Sequence, residues 1–266
     1  MKKTTIILLS IMSLFFCVTA QEDEPKVAVG VRVGINGSSL LIPRSTFESA
    51  YSTNYNSEQA MKVGAVAGLD IDIKLKEKLS LQTGLFYSWQ RFGQEQGAVF
   101  TDTNNVRYSI GSVNQYTVHH LRLPVMVKYH FSTNPNHFVI AAGLYADYAL
   151  SGEITYDASA VLTQENNQST KYFGNGTLNP YKAEKQSLFY HIGNDEYISQ
   201  YDLFNGKMLK NFDLGAAIEL GYQISKFYIG VQADFGLLNI ARPEFFGDSF
   251  VQRNFNLQLA VGYRIN

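Results

Sequence analysis

Few residues in this sequence have the types and spacing that catalysis requires. There are five histidines and a single cysteine, so a disulfide scaffold and a cysteine-based zinc site are both excluded. His191 stands close to Asp195 and Glu196, a combination that could supply a general base and its carboxylate partner. Such a pair must meet within hydrogen-bond distance, and single histidines in loops are usually only solvated. We therefore predict no catalytic residue and a protein that is not an enzyme.

The spacing of the other histidines argues against a metal site. His119 and His120 are adjacent, and adjacent residues of a strand point to opposite faces. His120 and His130 would lie about 33 Å apart on a strand that rises about 3.3 Å per residue. We expect neither a metal nor a cofactor.

Charged residues form a more extended pattern. They recur on the polar faces of segments in which apolar and polar residues alternate. The cations are Arg32, Lys62, Lys74, Arg122, Lys128 and Arg264, and the anions are Asp70, Asp72, Asp147, Asp213, Glu219 and Asp234. Six charges of each sign cancel, and buried charges are tolerated when they are paired. The pattern predicts a charge network that fills the lumen of a narrow barrel. An ion path is the alternative, although a selective pore would more naturally carry an excess of one sign.

The elements that must position these charges are β-strands. Between Met61 and Leu75, apolar residues occupy every second position, and polar or small residues occupy most of the others. A shift of one residue would exchange the two faces, so the register is strongly specified. The same alternation predicts eight strands, at roughly 27–35, 61–75, 79–92, 117–131, 137–152, 211–223, 227–239 and 253–265.

The connections between these strands alternate strictly between long and short. They are residues 36–60, 76–78, 93–116, 132–136, 153–210, 224–226 and 240–252. Short periplasmic turns and long extracellular loops are typical of transmembrane β-barrels. The fold class predicted is therefore all-β, an eight-stranded antiparallel up-and-down transmembrane barrel.

The apolar face must point outward for this interpretation to hold, whereas a soluble lipocalin-type barrel would bury it. Aromatic residues of the apolar face cluster at the strand ends, as at the two interfaces of a bilayer. Tyr129, Phe131, Phe138, Tyr222, Phe227 and Tyr263 fall near the short turns, and Tyr87, Trp89, Tyr148, Phe212 and Phe235 fall near the long loops. This distribution favours the membrane barrel over the lipocalin-type alternative.

Composition and the first twenty residues predict the location. The chain of 266 residues is 45% hydrophobic with a formal charge of -1, which excludes disorder and argues against nucleic acid as a partner. Lys2 and Lys3 precede a short apolar run that ends in small residues before Gln21, the pattern of a cleavable signal peptide over 1–20. An anchoring helix or a lipid on Cys17 is disfavoured. Residues 21–266 would form the barrel in the cell outer membrane.

The strand sequences resemble the PorT-like outer-membrane β-barrel family of gram-negative bacteria. The matching stretches are 29–36 (VGVRVGIN), 68–75 (GLDIDIKL), 85–89 (LFYSW), 121–129 (LRLPVMVKY), 142–146 (AGLYA), 213–215 (DLG) and 259–264 (LAVGYR). Pro124 is the most specific feature, because proline is unusual inside a strand. The resemblance implies an eight-stranded outer-membrane barrel, with the lipid bilayer, lipopolysaccharide and the barrel-assembly machinery as partners. It implies no reaction, and Ile265-Asn266 replaces the usual terminal aromatic residue.

The long segment 153–210 is the candidate working surface. Tyrosine supplies rigid contact area in binding loops, and loops on rigid scaffolds commonly carry function. The candidate binding residues are Tyr172, Phe173, Tyr181, Phe189, Tyr190, Tyr197 and Tyr201. We predict a structural or surface-binding scaffold with a protein or glycan partner, unless these aromatic residues merely pack together. The alternatives are a component of outer-membrane protein secretion, as the resemblance implies for one class of the family, a small porin, or a lipid A-modifying enzyme.

Overall fold

The computed structural model describes the backbone of residues 27–42, 55–101, 105–164, 168–182, 185–192, 195–205, 207–243 and 251–265. The predicted signal peptide lies outside these residues. Eleven strands occur in the described part, and every pairing between them is antiparallel. They are β1 (Val27–Leu41), β2 (Tyr55–Lys76), β3 (Leu79–Thr101), β4 (Arg107–His130), β5 (Asn136–Thr163), β6 (Ser169–Leu178), β7 (Lys185–Ile192), β8 (Asp195–Asn205), β9 (Phe212–Ile224), β10 (Phe227–Gly236) and β11 (Arg253–Arg264).

The strands close into a ring. Hydrogen-bonded pairs run from β1 through β2, β3, β4, β5, β9 and β10 to β11, which pairs again with β1. Strand β5 is 28 residues long and serves two partners: residues 136–148 pair with β9, and residues 154–163 pair with β6. Closure removes the free edges of the ring, while β6, β7 and β8 branch away from it. The all-β antiparallel barrel architecture predicted from the sequence is confirmed.

The outer face of the ring is apolar and the inner face is polar. On β4, Leu121, Leu123 and Val125 are exposed, whereas the alternating Arg122 and Lys128 are buried. The aromatic residues of the short-turn end touch in pairs on the outer face, such as Phe138 with Tyr222 at 4.7 Å between ring centroids. This arrangement is the reverse of a lipocalin-type barrel, in which the apolar face is buried.

Several predicted long loops are mostly strand. β3 continues to Thr101 and β4 begins at Arg107, so the predicted loop 93–116 forms a hairpin with a full ladder. The predicted loop 153–210 contains the end of β5 and all of β6, β7 and β8. The upper parts of β2 to β5 (residues 55–62, 91–101, 107–118 and 150–163), together with β6 to β8, form what we call the projecting sheet. Its backbone still pairs, but the regular alternation of apolar and polar residues that reveals a strand is lost there.

Glycines make room for two large aromatic side chains inside the ring. A Cβ atom on Gly215 would overlap the ring of Tyr145, and one on Gly230 would overlap the ring of Tyr228. Both tyrosines are buried among charged residues of the lumen. In the part of the chain that the structure describes, no helix is long and apolar enough to cross a membrane.

Candidate functional site

The lumen half near the short turns is organised around Arg32. Its guanidinium donates to Asp70 at 2.9 Å and to Glu219 at 2.5 Å. The same group lies over the ring of Tyr228, 4.7 Å from the centroid, and the Tyr228 hydroxyl donates to Glu219 at 2.6 Å. A buried guanidinium held by two carboxylates and an aromatic face has little freedom to move.

Lys128 and Arg264 complete this group, which we call the lower cluster. The Lys128 ammonium donates to both oxygens of Asp72, at 2.8 and 2.9 Å, and Arg264 approaches Asp72 at 3.5 Å. Three cations (Arg32, Lys128 and Arg264) therefore meet three carboxylates (Asp70, Asp72 and Glu219). A cavity of about 20 Å³ beside Asp70, Asp72 and Lys128 has room for about one water molecule.

Arg122 organises a second group nearer the long-loop end, the upper cluster. It donates to the two oxygens of Asp147 at 2.8 and 2.7 Å and also contacts Asp234. Its guanidinium lies 4.3 Å from the ring centroid of Tyr145. His120 approaches Asp147 at 3.5 Å from its Nδ1 atom.

Asp213 adds a third carboxylate to the upper cluster without adding a cation. It stands opposite Asp147 in the pairing of β5 with β9, and one of its oxygens accepts a hydrogen bond from Asn254 at 2.8 Å. The other oxygen is buried and has no hydrogen-bond partner among the described residues. Among the described residues, Arg122 contacts Asp147 and Asp234 but not Asp213, so the charge pairing is less complete here than in the lower cluster.

Lys62 does not join either cluster. A β-bulge on β2 shifts the register against β3 between Lys62 and Ala65, and such a bulge re-aims side chains. The Lys62 ammonium donates to Gln115 at 2.9 Å, on the outer face, and strict alternation wrongly assigned it to the lumen. Lys74 is exposed near the turn that joins β2 to β3. Without Lys62, the predicted balance between cations and carboxylates in the lumen does not hold.

Above the upper cluster, apolar side chains fill the lumen as a plug. Its buried members are Leu40, Phe92, Tyr116, Val118, Ala149, Ile154, Tyr181, Leu209 and Ile240. The rings of Phe92 and Tyr116 stack with centroids 4.6 Å apart. Backbone bonds fix the segments that enter from the long-loop end: Leu209 N–H donates to the Pro180 carbonyl at 3.0 Å, and Lys210 N–H donates to Ile240 at 2.8 Å.

The plug corrects one predicted binding residue. Tyr181 is only 7% exposed, so it packs inside the plug and offers no binding surface. Burial raises the pKa of its phenol above the ordinary value, and the nearby charges of Asp213 and Asp147 act in the same direction. No periodic pattern in the sequence predicts the plug, because its members come from strands and from three separate connecting segments.

The other candidate surface residues lie in β6, β7 and β8. Phe173 is 49% exposed on β6. Tyr172 shares that strand, Phe189 and Tyr190 lie in β7, and Tyr197 and Tyr201 lie in β8, but their side chains are outside the described part. The side chains of His191, Asp195 and Glu196 are outside it as well, so the possible catalytic grouping of these three lies outside the described residues.

The histidines within the described part make local contacts. His119 lies on the outer face, with its Nδ1 atom 2.5 Å from the Tyr87 hydroxyl, and His130 contacts His137 at 2.8 Å. Among the described residues, no group of three or more His, Cys, Asp or Glu side chains could hold a metal ion.

Comparison with known proteins identifies the class. A family model described as an outer membrane protein beta-barrel domain matches residues 19–242, so the chain belongs to this family of outer-membrane β-barrels. No curated protein sequence matches it.

Several solved proteins are similar to this chain at low sequence identity and low TM-score. OprG from Pseudomonas aeruginosa is 10% identical with a TM-score of 0.36, over 90% of this chain and 94% of OprG. Ail of Yersinia pestis, solved with the heparin analogue sucrose octasulfate, is 10% identical with a TM-score of 0.35, over 91% of this chain and all of Ail (100%). Neisserial surface protein A is 8% identical with a TM-score of 0.30, over 89% and 97% of the two chains.

Proposed function

We propose that the protein crosses the outer membrane with the eight strands of its ring, keeps its lumen closed and works through the projecting sheet on the cell surface. In this role it is a structural or surface-binding scaffold that performs no reaction of its own. The observation that carries the proposal is the stacking of the lower cluster, the upper cluster and the plug along the lumen. Each layer places bulky side chains across the interior, and an eight-stranded barrel has little more room than its side chains need.

The projecting sheet supports the surface-binding part of the proposal. Its outer side carries an open cavity of about 580 Å³, which is lined by Glu58, Glu95, Gly97, Gly111, Ser112, Asp157, Ser159 and Phe173 among others. A Cβ atom added to Gly97 or Gly111 would meet no atom closer than 3.6 Å, so the backbone at these two glycines is accessible from the cavity. A half-exposed aromatic ring beside carboxylates and hydroxyls offers both apolar and hydrogen-bonding contacts to a protein or glycan.

We also propose that the chain belongs to the PorT-like group within its family. Pro124 inside strand β4 is the sequence feature that most favours this assignment. Pro124 cannot donate to the ladder, and its carbonyl accepts a hydrogen bond from the Thr83 hydroxyl on β3 at 2.8 Å. The side-chain contact compensates for part of the ladder that proline interrupts.

Planar-bilayer recording of the refolded protein tests the closed lumen. We expect no steady openings of general-porin size from the unmodified protein. Leu209→Ala, which removes apolar bulk from the plug, is recorded alongside the unmodified protein. It should also show no steady openings, because the two charge clusters below the plug still block the lumen. Steady, large openings of the unmodified protein would contradict the proposal.

A further inference from the structure

The bulge on β2 creates a feature of the outer face that the sequence pattern does not show. Lys62 stands directly opposite Arg91 in the pairing of β2 with β3. The Arg91 guanidinium lies 5.5 Å from the ring centroid of Trp89, and the Lys62 ammonium reaches Gln115 on β4. Gln115 and Arg91 share the face opposite to the buried Phe92 and Tyr116, so both cations lie on the outside of the barrel.

This pair of cations is unfavourable without a counter-charge. Like charges that stand directly opposite on paired strands destabilise the sheet. In the part of the chain that the structure describes, no carboxylate forms an ion pair with Lys62 or Arg91. Along the same row, Arg91 pairs with Thr117 and Thr117 pairs with Glu153, which places the first carboxylate two strands away. The protein itself therefore leaves the site short of negative charge.

The height of the pair along the barrel indicates where the missing charge comes from. Arg91 is the next outward position above Trp89, and Trp89 and Tyr87 belong to the aromatic residues at the long-loop end of the ring. Such aromatic residues sit at the level of the lipid headgroups. Lys62 and Arg91 thus face the headgroup layer of the leaflet at the long-loop end, and the exposed side chain of Val63 continues the surface toward the hydrocarbon.

We propose that Lys62 and Arg91 bind a phosphate group of an outer-leaflet glycolipid. The inference rests on the proposed function, because it requires the long-loop end to lie in the outer leaflet. Arg91 presents a planar guanidinium that can hold two phosphate oxygens, and Lys62 adds a point charge across the strand pair. Trp89 keeps the guanidinium in place from below, and the acyl chains of the same lipid lie along the apolar ring.

Binding of bisphosphorylated lipid A to the refolded protein in detergent micelles tests the site, with the shift of the thermal unfolding midpoint as the readout. The variants are Lys62→Gln and Arg91→Gln, alone and together, since glutamine retains length and polarity. The matched control is the double variant Lys76→Gln and Lys78→Gln, which removes two exposed cations from the short-turn end. We expect affinity to fall about fivefold for each outer cation removed and about 30-fold for both. The control should bind as the unmodified protein does.

Three further results decide the outcome. Lipid A without its phosphates should bind the unmodified protein at least tenfold more weakly. This comparison uses only the unmodified protein, so it does not depend on whether the variants fold. Equal binding of both lipids, or unchanged binding by the Lys62 and Arg91 double variant, would overturn the proposal. Inorganic phosphate that reproduces the whole shift would also overturn it, by showing an anion site with no lipid preference. Insertion into phosphatidylcholine vesicles is measured in parallel, because failure to insert would count against the membrane barrel itself.

Discussion

The ring and the projecting sheet share strands β2 to β5 but differ in the pattern of side chains along those strands. Below the aromatic residues of the long-loop end, β4 alternates exposed apolar side chains with buried polar ones, as in Leu121, Arg122 and Leu123. Above that level, Glu95 of β3 faces Val113 of β4, and Gln96 faces Ser112, without any such alternation. Backbone pairing nevertheless continues from one region into the other. The alternation of apolar and polar side chains thus depends on what surrounds each face of the sheet. The hydrogen-bonded ladder forms without it.

The strongest test of this contrast is the substitution Arg122→Ala in the lumen. It removes the guanidinium that holds Asp147 and Asp234 and leaves two buried carboxylates without their partner. We expect a loss of about 3–5 kcal/mol in the free energy of unfolding, measured by denaturant titration in lipid vesicles. The control is Lys171→Ala on the projecting sheet, where an exposed cation is removed and the change should stay within about 0.5 kcal/mol. Similar losses for both variants would erase the distinction between the two regions.

The next test compares neighbouring residues of β9 within the ring. Ala216 lies on the outer face with Ile218, and Ala217 is only 4% exposed inside the lumen. An arginine at position 216 near the bilayer midplane should lower the free energy of unfolding by about 2–4 kcal/mol, because its charge enters hydrocarbon. Ala217→Arg should instead be limited by space beside Met126 and Tyr145.

The two variants of β9 fail for different reasons, which denaturant titrations in vesicles and in water distinguish. The loss at position 216 should require the bilayer, whereas the loss at position 217 should ease when Met126 is replaced by alanine. A protein that is folded in water, with Ala217→Arg neutral and Ala216→Arg unfolded, would show that the two faces are inverted.

Sequence reasoning succeeded where lipid constrains the side chains. The short turns fall close to their predicted positions: β2 ends at Lys76 and β3 begins at Leu79, and β9 ends at Ile224 before β10 begins at Phe227. Arg32 and Glu219 were both assigned to the lumen, and the structure pairs them across a separation of 187 residues. Which charges pair could not be predicted, because partners come from distant strands whose relative tilt has no sequence signal.

Sequence reasoning failed where strict alternation is interrupted. Lys62 lies just before a bulge, and the single extra residue moves its ammonium from the lumen to the outer face. Tyr181 follows β6 in a segment without periodicity, and its burial depends on Leu209 and Ile240 arriving from elsewhere in the chain. Strands β6, β7 and β8 lack alternation because they lie beyond the ring. The candidate lipid site therefore emerges only from the register of the folded sheet.

The smallest expected effect concerns a pair of like charges in the projecting sheet. Glu58 and Glu95 stand directly opposite each other in β2 and β3, and both are exposed beside the open cavity. Glu95→Gln should strengthen this part of the pairing by about 0.2–1 kcal/mol, because it removes the repulsion. Amide hydrogen exchange of residues 58–62 should slow by about fivefold at most, while exchange in the ring stays unchanged. Glu153→Gln is the matched control, since Glu153 faces Thr117 and has no like charge opposite. Equal slowing in both variants would show that net charge, and not the cross-strand pair, sets the local stability of the projecting sheet.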